Sequence, residues 1–77
     1  MEEALILVVL APNFKPETLD KMRKIQGVTQ AHLLYGPYDL FATLKTDTLP
    51  DLRAAVTKIR ETDGIKSTVT CNVIKQV

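Results

Sequence analysis

The feature that most constrains the fold is an unbroken apolar run, ALILVVL, at residues 4–10. Because apolar and polar side chains do not alternate in this run, it predicts a short strand buried on both faces. Even when extended to Ala11, the run is far shorter than the roughly 20 residues of a membrane helix. Two glutamates precede it, where a signal peptide would carry basic residues. We therefore expect a central strand of a sheet, and neither a membrane anchor nor a leader.

Two segments have the apolar spacing of amphipathic helices. The first runs from about Pro16 to Gln26; its proline suits a first helical turn and Gly27 suits a left-handed cap. The second opens with Thr48 and Asp51 at capping-box spacing and stops at Gly64. The apolar positions are Leu19, Met22 and Ile25 in the first segment, and Leu49, Leu52, Val56 and Ile59 in the second.

Three more segments are rich in β-branched and aromatic residues. Val28–Tyr35 and Asp39–Thr46 flank a Gly-Pro turn and predict an antiparallel hairpin, and Ile65–Ile74 predicts a closing strand. The order β-α-β-β-α-β is that of the ferredoxin-like motif, and right-handed crossovers give the sheet order 4-1-3-2. We therefore predict an α+β fold in one domain spanning residues 1–77.

The predicted helices can cover only one face of this sheet. The first strand is apolar at both parities, and Leu33 and Leu34 leave both faces of the second strand partly apolar. A large exposed apolar patch is unusual in a soluble monomer. We therefore expect a homodimer formed face to face through the uncovered side of the sheet.

Composition argues against several classes of function. A net charge of +1 and only four aromatic residues disfavour nucleic-acid binding through a basic face or a stacking platform. Cys71 is the only cysteine, which precludes an intrachain disulfide and a thiolate-rich zinc site and fits a reducing cytoplasm. We expect Cys71 to be buried, and with His32 as the only histidine we expect no metal site.

The stretch YGPYD, residues 35–39, carries the sharpest chemical signal. Gly36 and Pro37 make a stiff backbone, so that the N–H donors fall to Tyr38 and Asp39. A carboxylate beside loop amides could hold both charged groups of a free amino acid. These residue types are also ordinary turn formers, and from the motif alone a simple turn is favoured.

Other candidate positions have equally plain explanations. Thr68 and Thr70 alternate on the last strand and should point to the same side, where they could form a polar wall or only reflect β-propensity. Leu19 and Met22 could line an apolar pocket, but a helical stripe is more often core. For His32, a hydrogen-bonded structural role is favoured over that of a base.

Taken together, AHLLYGPYDLFATLKTD, a following helix and GIKSTVT resemble the effector (RAM) domain of the Lrp/AsnC, or feast/famine, transcription regulators. The resemblance extends over nearly the whole chain and implies a βαββαβ domain that dimerises through its sheets, dimers that assemble into rings, often octamers, and amino acids bound between dimers. By position it implies that Gly36, Tyr38 and Asp39 hold the α-amino and carboxylate groups. It further implies that Thr68 and Thr70 lie nearby and that Leu19, Met22 and His32 shape the side-chain pocket.

The resemblance also shapes the expected function. Full regulators carry an N-terminal helix-turn-helix domain, whereas this chain starts at its first strand, so we expect a stand-alone form without direct operator binding. The expected protein is a cytoplasmic, non-enzymatic sensor without a cofactor. Its partners would be a free amino acid, other copies of itself and full-length Lrp/AsnC regulators. Two alternatives stay open: a small dimeric α+β barrel enzyme using His32 as base, and an ACT-like module binding through the loop APNF.

Overall fold

The computed structural model describes residues 1–74 and arranges them as strand, helix, strand, strand, helix and strand. The elements are β1 (Glu2–Leu10), α1 (Pro16–Arg23), β2 (Val28–Leu33), β3 (Leu40–Thr46), α2 (Leu49–Arg60) and β4 (Ile65–Asn72). The strands form an antiparallel sheet in the order β2-β3-β1-β4. The predicted βαββαβ topology and strand order are therefore confirmed. None of the helices within residues 1–74 is long and apolar enough to cross a membrane.

β1 is the central strand that its unbroken apolar run predicted, paired with β3 on one side and β4 on the other. Its residues Ala4, Ile6 and Val8 are at most 2% exposed. The alternating residues Leu5, Leu7 and Val9 are only half-buried, because they lie on the face that the helices do not cover. Both faces of the strand are thus apolar, but only one is covered within the protomer.

Both helices pack on the same face of the sheet, and their ends follow local chemistry. α2 begins where predicted, since the Thr48 hydroxyl accepts a hydrogen bond from the backbone N–H of Asp51 over 3.2 Å. α1 ends at Arg23, earlier than the predicted Gln26. The chain leaves the helix there to reach Gly27, whose φ of +100° favours glycine.

The core between helices and sheet is built from alanines and larger apolar side chains. Burying one of the larger side chains completely contributes about 1.5–3 kcal/mol relative to leaving it exposed. The buried apolar residues are Ala4, Ile6 and Val8 of β1, Met22 of α1, Ala31 of β2, Leu40, Ala42 and Leu44 of β3, and Leu52, Ala55 and Ile59 of α2.

The opposite side of the sheet, which we call the open face, carries Leu5, Leu7, Val9, Phe41, Val69 and Cys71. Its central residue, Leu7, lies between Phe41 and Val69 on the neighbouring strands. Cys71 is exposed in the protomer, so the expectation of a buried thiol is wrong for the single chain. Cys71 lies opposite Leu5, on the side that no helix covers.

Candidate functional site

The hairpin between β2 and β3 closes through residues 34–39. The backbone N–H of Leu34 donates to the carbonyl oxygen of Asp39 over 2.8 Å, and β2 itself ends at Leu33, before the predicted Tyr35. Tyr35, Gly36 and Pro37 are exposed, and no atom lies within 4 Å of the position that a Cβ on Gly36 would take. Packing within the protomer therefore does not explain the residue types at positions 35–37. We call residues 34–39 the hairpin tip.

Asp39 anchors the hairpin tip to the end of β1 in two ways. Its backbone N–H donates to the carbonyl oxygen of Val8 over 2.9 Å, and its carboxylate oxygen Oδ2 accepts the backbone N–H of Leu10 over 2.9 Å. The ladder between β1 and β3 ends at the pair Val8 and Leu40. The carboxylate therefore takes the place of the next strand carbonyl, which fixes its orientation.

The second oxygen of that carboxylate is available to a ligand. Within residues 1–74, Asp39 Oδ1 accepts no hydrogen bond from another residue. The backbone N–H groups of Gly36 and Tyr38 likewise donate to no acceptor in this part of the chain. The hairpin tip therefore offers an oriented anionic acceptor and neutral donors.

Asp39 lies at an open cleft of about 620 Å³. A volume of this size falls within the range of small-molecule sites. Lys66 provides the cation of the cleft, and its apolar lining is Val9, Leu10, Ala11, Pro12, Phe14, Leu33 and Leu34. The cleft thus combines one carboxylate, one ammonium group and an apolar wall.

Thr68 and Thr70 share one side of β4, as predicted from their alternation. They pair with Val8 and Ile6, so they lie on the helix side of the sheet and line a separate groove of about 510 Å³. Because β1 separates β4 from β3, the threonines and Asp39 are roughly two strand spacings, about 9–10 Å, apart across the sheet. The protomer does not bring these predicted halves of the site into contact.

The residues expected to shape the side-chain pocket are dispersed. Met22 is fully buried in the core, where its placement fits the plain core interpretation, and Leu19 packs half-buried beside that core. His32 is exposed on the other side of the sheet, with its ring 5.5 Å from that of Phe41. These three side chains do not form one pocket wall within the protomer.

The arrangement gives no support to a catalytic or metal-binding role for His32. Within residues 1–74 its ring forms no hydrogen bond or ion pair with an acidic residue, which a positioned general base would need. No group of three or more His, Cys, Asp or Glu residues in the described part of the chain could hold a metal ion.

The loop APNF, which an ACT-like module would use for its ligand, contributes Ala11, Pro12 and Phe14 to the cleft.

Lys66 was not among the candidate site residues predicted from the sequence. It is the residue common to the lining of the Asp39 cleft and of the threonine groove. Its place between Ile65 and Ser67 indicates only a basic residue on a strand. Its position beside the Asp39 cleft depends on the pairing of β4 with β1.

A family model described as the Lrp/AsnC ligand binding domain matches residues 3–77. No curated protein matches the sequence. Among solved structures, FFRP-DM1 is 39% identical with a TM-score of 0.86, covering 96% of this chain and 100% of that one. The hypothetical protein PHS023 from Pyrococcus horikoshii is 38% identical with a TM-score of 0.86, covering 99% of this chain and 93% of that one.

A more distant structure shares the fold. The transcriptional regulator NMB0573 from Neisseria meningitidis, in complex with L-Met, is 16% identical to this chain with a TM-score of 0.79. The match covers 99% of this chain and 51% of the regulator. The βαββαβ domain thus also occurs as about half of a longer protein.

Proposed function

The chain belongs to the Lrp/AsnC ligand-binding domain family, and from that premise we propose that it is a non-enzymatic effector domain that binds a free amino acid at the hairpin tip. One observation carries this proposal. The Asp39 carboxylate is oriented through Oδ2 by the Leu10 N–H and lines an open cleft of suitable size. A carboxylate held in this way is a preorganised acceptor for an α-ammonium group.

The cleft and the adjoining hairpin tip together offer a group for each part of an amino acid. The ammonium group binds Asp39 Oδ1, and the backbone N–H groups of Gly36 and Tyr38 donate to the carboxylate. The ligand side chain lies against the apolar wall of the cleft. A charge-assisted hydrogen bond to Asp39 supplies about 1.5–3 kcal/mol, so its loss should weaken binding by at least about tenfold.

We propose that the protein functions as an assembly. A second copy covers the open face, which is apolar at its centre around Leu7. Dimers then associate into a ring in which the exposed hairpin tip contacts a neighbouring dimer. The resemblance to the family implies that this ring is an octamer. Thr68, Thr70 and the exposed His32 reach a ligand at Asp39 from a different subunit, since the protomer itself separates them.

Binding between dimers couples the ligand to assembly. A ligand that contacts two dimers binds the assembled state better than the separated one, and it shifts the equilibrium only by that difference in affinity. The output is a change in oligomer size or stability. It is delivered by this chain alone or through a full-length Lrp/AsnC regulator built on the same domain.

The test is a thermal-shift screen of the standard amino acids at millimolar concentration, with light scattering in parallel. A ligand at about one hundred times its Kd adds about 2.7 kcal/mol, and each kcal/mol raises the Tm of a domain this small by about 4–8 °C. We expect at least one amino acid to raise the Tm and change the mass distribution. If no amino acid alters either quantity, the proposal is wrong.

A further inference from the structure

A β-bulge sets Lys66 apart from the other lysines. Between β1 and β4 the register pairs Val9 with Ser67 but Leu10 with Ile65, so Lys66 is the extra residue on the β4 side. A bulge leaves its extra residue out of the ladder and redirects its side chain. Here the bulge lies beside Leu10, the residue whose N–H orients the Asp39 carboxylate. Lys66 and Asp39 therefore flank the same point at the end of β1.

The opposite charges of these two residues are not paired with another charged group in the described part of the protomer, although the Asp39 carboxylate accepts the Leu10 N–H. Both line the cleft, yet neither forms an ion pair within residues 1–74. Two opposite charges that line one open cleft without forming an ion pair with each other are complementary to the two charges of a zwitterion. The hairpin tip alone lacks this complementarity, because the N–H groups of Gly36 and Tyr38 carry no formal charge.

We propose that Lys66 is the counter-ion for the α-carboxylate of the bound amino acid and so makes the site selective for amino acids over amines and amino-acid amides. This inference rests on the proposed function and adds a residue to it. The lysine ammonium is a compact point charge on a flexible stem with three donors, which allows it to follow a carboxylate held mainly by the hairpin tip. Lys66 also borders the groove of Thr68 and Thr70 in its own protomer.

A purely structural role for Lys66 makes a different prediction. If its aliphatic stem only covers the apolar wall of the cleft, methionine should replace it without changing how the site distinguishes ligands. Selectivity between a carboxylate and a carboxamide therefore separates the two roles, whereas stability alone does not.

The experiment compares each amino acid that binds the wild-type chain with its own α-carboxamide, for instance L-leucine with L-leucinamide. Calorimetric titration at about pH 6 keeps the ammonium groups of both compounds protonated. The wild-type chain should bind the amino acid about tenfold or more tightly than the amide. Lys66→Met should reduce this ratio by about tenfold through weaker binding of the amino acid, and Lys66→Arg should restore most of it.

The matched control is Lys24→Met, which removes the same charge from an exposed residue just beyond α1. It should leave the ratio unchanged. An amino acid that binds Lys66→Met with the wild-type ratio overturns the role of Lys66 and leaves the effector function standing. If no amino acid binds the wild-type chain, the effector function fails and the role of Lys66 fails with it.

Discussion

Asp39 combines two roles that one pair of substitutions can separate. Its carboxylate ties the hairpin tip to β1 through the Leu10 N–H, at 2.9 Å, and in the proposed function it also holds the ligand ammonium. Asp39→Asn keeps a side-chain oxygen for the Leu10 N–H but removes the negative charge. Asp39→Ala removes both.

The two variants should differ in stability. Asp39→Ala leaves the half-buried Leu10 N–H without its acceptor, which costs about 1–3 kcal/mol; because the site is open to solvent, we expect the lower part of that range. For a domain of this size the Tm should fall by about 4–8 °C per kcal/mol. Asp39→Asn replaces a charged acceptor by a neutral one and should lose about 1 kcal/mol or less.

In binding, by contrast, the two variants should behave alike. Both lack the anionic acceptor, so both should bind the amino acid at least about tenfold more weakly than the wild-type chain. The matched control is Asp20→Asn, the same chemical change at an exposed position on α1, which should alter neither quantity.

Urea unfolding and calorimetric titration of the same samples measure both effects. An Asp39→Asn variant that keeps wild-type affinity would refute the role of Asp39 in holding the ammonium group. An Asp39→Ala variant as stable as the wild-type chain would show that the bond to Leu10 contributes nothing to the fold.

Further substitutions test the assembly and the local fold. Leu7→Asp places a charge at the centre of the open face and should give a monomer of 8.6 kDa in light scattering. The control Leu49→Asp, at the exposed start of α2, should leave the assembly intact. Equal masses for the two variants would contradict a dimer through this face. Gly64→Ala puts a Cβ at a φ of +95°, 3.2 Å from the Cα of Phe14, and should lower the free energy of unfolding in urea by about 1–3 kcal/mol. Gly36→Ala adds a Cβ with no atom within 4 Å and should change that free energy by no more than about 0.5 kcal/mol. Thr48→Ala removes the cap of α2 and should lower the free energy of unfolding by about 1 kcal/mol; a calorimetric Tm equal to that of the wild-type chain would show that the cap is dispensable.

The order and type of the elements could be predicted from the sequence because their signals are local. The apolar run of β1, the Thr48 cap and the positive φ of Gly27 and Gly64 each follow from residues close together in the chain. Strand order then followed from the handedness of the crossovers. Element ends were less certain, as the early ends of α1 and β2 show.

The candidate site could be predicted only in part. The motif around Asp39 predicted the hairpin that the structure contains, but a motif does not show which backbone group a carboxylate contacts. The hydrogen bond from the Leu10 N–H to the Asp39 carboxylate joins residues 29 positions apart, so local sequence patterns do not predict it. The placement of Lys66 likewise depends on a single register shift between β1 and β4.

The sequence by itself determined a βαββαβ chain with an apolar central strand and a stiff hairpin tip, since periodicity, caps and turn residues act over a few positions. Only the tertiary structure decided which face of β4 carries Thr68 and Thr70 and that Cys71 is exposed. The physical reason is that a one-residue change of register moves every side chain of a strand to the other face. Pairing between distant strands, which no short segment encodes, therefore decides what each residue can touch.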